Sequence, residues 1–133
     1  FYLFDKNSNT PLWTYTAGDY VMSAAISADG KYIVASTNDD KVYLFNKGSS
    51  TPLWSYTTGG DVYAVEISAD GEYIAVGSND DKVYLFDKDS STPLWSYDTG
   101  ANVTSVSISA SGQFILAGQE DGKVFLFNNQ RTY

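Results

Sequence analysis

The 133-residue chain contains no histidine and no cysteine. The commonest general base and the thiol nucleophile are therefore both missing, and so are thiolate metal sites and any disulfide framework. The redox compartment stays open, and the sequence assigns no localisation. Positive charge is scarce: eight Lys and Arg stand against sixteen Asp and Glu, for a net charge of −8. Neutralising a phosphate backbone needs clustered cations, so no nucleic-acid partner is expected. Adsorption to an anionic lipid surface is disfavoured for the same reason. No apolar run reaches the ~18 residues of a spanning helix, so no membrane insertion is expected. Helical periodicity is absent throughout. The chain opens at Phe1 in a strand-like stretch, without initiator Met or signal peptide, as expected of a slice of something longer or of a mature or engineered product.

What is abundant is aromatic: Phe, Trp and Tyr make up 16% of the chain, and such residues favour strands, where their bulk packs on a pleated surface. They recur with a fixed period of 41 residues. Val42-Tyr-Leu-Phe45 returns as Val83-Tyr-Leu-Phe86 and as Val124-Phe-Leu-Phe127, with Phe1-Tyr-Leu-Phe4 one period earlier. Thr10-Pro-Leu-Trp13, Thr51-Pro-Leu-Trp54 and Thr92-Pro-Leu-Trp95 keep the same spacing, as do Ser27-Ala-Asp-Gly30, Ser68-Ala-Asp-Gly71 and Ser109-Ala-Ser-Gly112. A period in this range marks a modular architecture whose units cannot bury their apolar faces alone. The chain reads as one domain, 1–133, with repeats 1–41, 42–82 and 83–123 and the start of a fourth at 124–133.

Within one unit, Val62 to Ser68 reads as a strand, with Val65 and Ile67 two apart. Asp70-Gly71 makes a tight turn, because Asp bonds its own backbone and Gly accepts positive φ. Tyr73 to Gly77 is a second strand, Asn79-Asp80-Asp81 a turn, and Lys82 to Phe86 a third strand. After a polar loop, Pro93 precedes a fourth strand, Leu94 to Tyr97. Four short antiparallel strands per unit, with turns every 8–12 residues, predict an all-β propeller segment of three four-stranded blade repeats. The middle strands are apolar on both faces, as stacked blades require. By this reading the chain starts and ends on a third strand, leaving Leu12 to Thr16 as an outer strand without a blade. Three blades are too few to close a ring, and bare aromatic blade faces imply association.

The stretch Ile67-Ser-Ala-Asp-Gly-Glu-Tyr-Ile-Ala-Val-Gly-Ser78, followed by Asp80 and Val83-Tyr-Leu-Phe-Asp87, resembles a WD-repeat blade across all three units. That resemblance implies a closed ring of usually seven blades that scaffolds protein complexes. Asp39, Asp80 and Asp121 fall at the turn-aspartate position of those blades. The accompanying Ser/Thr–His–Asp–Trp network cannot form, since Phe86 replaces the Trp and histidine is absent. Leu94-Trp-Ser-Tyr-Asp-Thr-Gly100 is similar instead to the quinoprotein-type blade, and that similarity implies that Trp13, Trp54 and Trp95 dock one blade on the next. It covers no cofactor-site residue, so no cofactor is expected.

Candidate chemistry is thin, and no enzyme is expected. Asp39-Asp40, Asp80-Asp81 and Glu120-Asp121 pair carboxylates that could serve acid–base work or bind a cation, but they sit in matching turns and read as solvated. Asp87-Lys-Asp-Ser-Ser91 has calcium-loop spacing, yet its copies Asp5-Lys-Asn-Ser-Asn9 and Asn46-Lys-Gly-Ser-Ser50 lose the acids, so no metal is expected. Asn102-Val-Thr104 is a lone glycosylation sequon.

Divergence between copies is more informative. It concentrates at Asp19-Tyr20, Gly60-Asp61 and Ala101-Asn102, at Met22, Tyr63 and Thr104, and at Ala25, Glu66 and Ser107. In a propeller these positions lie on a rim and along the channel. Tyr20, Asp61, Tyr63, Glu66 and Asn102 are therefore the candidate partner-binding residues. The expected function is a non-catalytic scaffold for a protein or peptide. The alternative is an architectural unit that assembles with further blades, from the same or another copy, as a homo-oligomer if this is the whole chain.

Overall fold

The computed structural model describes residues 1–129. Among them there are thirteen strands and no helix. Two complete four-stranded antiparallel sheets lie in the middle. The first holds β3 (Val21–Ile26), β4 (Tyr32–Thr37), β5 (Lys41–Asn46) and β6 (Trp54–Thr57). The second holds β7 (Val62–Ile67), β8 (Tyr73–Ser78), β9 (Lys82–Asp87) and β10 (Trp95–Asp98). A two-stranded piece, β1 (Tyr2–Leu3) with β2 (Trp13–Thr14), precedes them, and a three-stranded sheet, β11 (Val103–Ile108), β12 (Phe114–Gln119) and β13 (Val124–Asn128), follows. Strands pair in chain order, so every sheet is a meander, as expected of propeller blades. This is an unclosed propeller segment.

The turn chemistry recurs from blade to blade. The Ser27 hydroxyl donates to Asp29 Oδ1 at 2.8 Å, and the Gly30 amide closes onto the Ser27 carbonyl at 2.9 Å. Amide and hydroxyl donors, from Lys31 first and Ser27 second, hold the Asp29 carboxyl below the usual carboxylate range. Gly30, Gly71 and Gly112 take φ of 72°, 75° and 78°, a left-handed conformation open to glycine at no steric cost. The turns between second and third strands also need that conformation. There it is taken by Asp40 and Asp81 and, in the last copy, by Gly122.

Packing repeats as well. Each of the two complete blades turns one face to its predecessor and one to its successor. Val34, Val42 and Leu44 of the first complete blade meet Val62, Ile67, Ile74, Tyr84 and Phe86 of the second. Ala75, Val83 and Leu85 of the second meet Val103, Ile115, Ala117 and Phe127 of the third. Phe1, Leu3, Trp13 and Tyr15 cover Ile33, Tyr43 and Phe45. Burying apolar area at about 25 cal/mol per Å² makes these interfaces the main source of stability.

Two local expectations change at the ends of the stack. β1 and β2 are shorter than Phe1–Phe4 and Leu12–Thr16, because no inner strands flank them; the Phe1 and Leu3 carbonyls nevertheless still accept from Tyr15 and Leu12. β12 is not buried on both faces as β4 and β8 are. Its residues alternate, with Phe114 and Leu116 exposed and Ile115 and Ala117 buried, since none of the described residues covers its outer side.

Candidate functional site

One end of the stack gathers the positions at which the repeats differ. The Asn38 amide donates to the Tyr20 carbonyl and the Asn79 amide to that of Asp61, both at 2.8 Å, while the Glu120 amide reaches that of Asn102 at 3.1 Å. One backbone bond thus fixes Tyr20, Asp61 and Asn102 at equivalent rim positions in successive blades, while their side chains differ. Tyr20 is 78% exposed. Asn102 Nδ2 donates to Glu120 Oε2 at 3.2 Å.

Each inner strand carries a register shift at one residue: Met22 in β3, Tyr63 in β7 and Thr104 in β11. Such a bulge re-aims a side chain at the edge of a sheet. Sequence comparison found these residues by divergence; it could not foresee the bulge, since the flanking pattern alternates normally. Glu66 lies further along β7, half-buried, and burial pushes its carboxyl above the usual range. β7 packs between β3 and β11, so Tyr63 and Glu66 occupy the middle of the inner-strand surface.

The rim is acidic. Asp19 and Asp61 precede inner strands, and Asp39, Asp40, Asp80 and Asp81 form the neighbouring turns. The Asp40 carboxyl is raised first by burial, then by the charge and hydrogen bond of Asp61, then by Asp39 and Asp80. The Asp80 carboxylate is held by three donors, and the residue's amide makes a fourth bond. Its Oδ2 accepts from the Gly59 amide at 3.0 Å and from the Tyr84 hydroxyl, its Oδ1 accepts from the Lys82 amide at 3.1 Å, and its own amide bonds Ser78 Oγ at 3.2 Å. Burial, then Asp80, pushes the Tyr84 hydroxyl well above its ordinary value. Thr58 Oγ1 donates to the Gly60 carbonyl at 2.6 Å and lies 3.2 Å from Ser78 Oγ, tying the loop from β6 to β7 onto the second complete blade.

Sequence reading took the turn aspartates as solvated and missed the Tyr84–Asp80 contact. A signal existed between copies: tyrosine at 43 and 84 accompanies Thr37 and Ser78, whereas Phe125 accompanies Gln119. In that last blade Gln119 Nε2 reaches Asp121 Oδ1 at 2.7 Å in place of the phenol.

The tryptophans lie away from the rim, on the outer strands. Trp13 Nε1 donates to the Lys47 carbonyl and Trp54 Nε1 to that of Lys88, each at 2.8 Å. Their rings sit 5.3 Å from Phe45 and 5.2 Å from Phe86, and Trp95 lies 5.2 Å from Phe127, so each touches the next blade. Among the described residues, no three His, Cys, Asp or Glu side chains gather to hold a metal ion.

Residues 2–131 match the PQQ_2 family model, described as outer membrane protein assembly factor BamB. That match covers nearly the whole chain, which belongs to this quinoprotein-type propeller family. No curated protein matches it.

Proposed function

From membership in this propeller family, we propose that the chain is a non-catalytic binding module whose rim and inner-strand surface take up a protein or peptide. The observation that carries the reading is the row Tyr20, Asp61 and Asn102. Three equivalent positions share one backbone hydrogen bond and carry three different side chains. Structure accounts for the shared bond, and partner recognition accounts for the difference. An exposed tyrosine such as Tyr20 supplies apolar contact at modest entropic cost, and Tyr63, half-buried on its bulge, adds a second ring. The surrounding carboxylates suit a partner segment rich in Lys or Arg.

Panning displayed random peptides against the chain tests this. Selected binders are expected to carry basic residues, to weaken at high salt, and to be lost on Tyr20→Ala with Tyr63→Ala while thermal unfolding stays unchanged. Binders that survive both substitutions and Asp61→Asn would overturn the assignment. A second reading, assembly with further blades, is favoured by the exposed Leu116, Val124 and Leu126 at one end of the stack and by the exposed Val21 and Ile26 at the other.

A further inference from the structure

Resting on that second reading, we propose that copies of this chain join head to tail by exchanging one strand, with β13 of one copy taking the place of β1 in the next. The outer face of the last sheet exposes Leu116, Val124 (65% accessible) and Leu126 (69%). One period back these positions are Ala75, Val83 and Leu85, and two periods back Val34, Val42 and Leu44, all completely buried against the following blade. The following blade meets them with Val62, Ile67 and Ile74, or with Val103 and Ile115. Their counterparts in the first complete blade are Val21, Ile26 and Ile33. Val21 and Ile26 are exposed at the opposite end of the chain, beside an apolar groove of about 240 Å³ lined by Tyr2, Leu3, Ala24, Ala25, Ile26 and Ile33. What one end lacks, the other presents.

Strand pairing decides which element moves. β13 and β1 are equivalent, so both cannot occupy one blade. β12 and β13 pair over five residues, from Phe114↔Asn128 to Gly118↔Val124, whereas β1 and β2 pair over only two. The weaker ladder gives way. β2 leaves β1 and pairs with the free edge of β13 of the other copy. The ladders Tyr43↔Ser55 and Tyr84↔Ser96 set the register, which places Phe125 opposite Thr14. Val124 and Leu126 then cover Ile33, Tyr43 and Phe45 where Phe1 and Leu3 do now, and Leu116 enters the groove. Each copy contributes three blades. Two copies make six, within the four to eight usual for closed propellers, and three would make nine. Each seam is head to tail, the two seams are related by a two-fold axis, and the association ends at the dimer when the ring closes.

The chain has no cysteine, so engineered thiols cross-link against no background. Chains carrying Thr14→Cys are mixed with chains carrying Phe125→Cys and oxidised, and the parent is sedimented alongside. The expected results are a species at twice the 14.5 kDa of one chain and a disulfide joining the two variants. Leu126→Asp, at a position exposed in the single chain, should return the mass to one copy with an intact strand spectrum. A dimer that gives no Thr14–Phe125 product, while Thr14→Cys with Tyr2→Cys closes within one chain, would overturn the exchange and leave self-assembly standing. A parent that sediments only as a monomer would overturn both, assigning the bare faces to other blades of a longer polypeptide.

Discussion

The indole nitrogen of Trp54 donates to the carbonyl of Lys88 at 2.8 Å, from the outer strand of one blade to the loop after the third strand of the next. Its ring stacks on Phe86 at 5.2 Å and 30°. Trp13 makes the same pair of contacts with Lys47 and Phe45 one repeat earlier. The tryptophan is thus a tether with an apolar half and a polar half.

Trp54→Ala removes both halves and should lower stability by about 3–5 kcal/mol, as large aromatic truncations do. Trp54→Phe keeps a stack and loses the hydrogen bond, for about 1 kcal/mol. Urea denaturation reads both. A Trp54→Ala chain that unfolds with the parent would remove the tryptophan from the blade interface.

The three hairpin glycines share one φ but not one neighbourhood. A methyl group at Gly30 would meet nothing within 4 Å, whereas at Gly112 it would lie 2.3 Å from Cδ2 of Tyr73 in the preceding blade. Gly30→Ala should cost only the left-handed penalty, about 1–2 kcal/mol, and Gly112→Ala distinctly more. Equal losses in thermal melts would mean that the Tyr73 ring yields without cost.

The hydroxyl of Tyr84 sits at the second complete blade's turn on Asp80. Tyr84→Phe strips a bond to a charged acceptor and should cost about 1.5–3 kcal/mol. The converse change, Phe125→Tyr, should gain little, because Gln119 already occupies Asp121. Matching melting shifts of opposite sign would contradict this.

Much of the fold was legible because its signals are local and repeated. A 41-residue period, a Gly after each short polar turn and alternating aromatics place β7 to β10 within a residue or two of their observed limits. The blade-to-blade bonds were not legible. The acceptors of Trp13 and Trp54 are backbone carbonyls 34 residues away, and a carbonyl carries no sequence signature. The Tyr84–Asp80 contact was hidden differently, since each residue had a sufficient local explanation, one as core and one as turn. The rim was half legible: divergence picked out Tyr20, Asp61 and Tyr63, but the bulge beneath Tyr63 and the charge crowding around Asp40 arise only when neighbouring blades meet.

That crowding gives the pH prediction a definite sign. Burial and the charges of Asp61, Asp39 and Asp80 raise the Asp40 carboxyl, so the folded chain holds that proton more tightly than the unfolded one. Asp40 therefore contributes most below the unfolded carboxylate value near ~3.9, and the contribution is lost as pH rises through the raised folded value. Asp121 is the opposite case. The Gln119 amide, then the Lys123 backbone, lowers its carboxyl, so its contribution is present above the unfolded value and lost in acid. At neutral pH Asp40→Asn should raise the melting temperature and Asp121→Asn should lower it, with both effects fading towards pH ~3. Asn tolerates the left-handed backbone at position 40, where φ is 72°. A purely conformational gain would thus persist in acid, which separates it from the electrostatic one. Salt should shrink the Asp40→Asn gain, because the group is accessible to counterions. Shifts of the same sign for both variants, or a gain at Asp40 independent of pH, would refute the like-charge contact between blades.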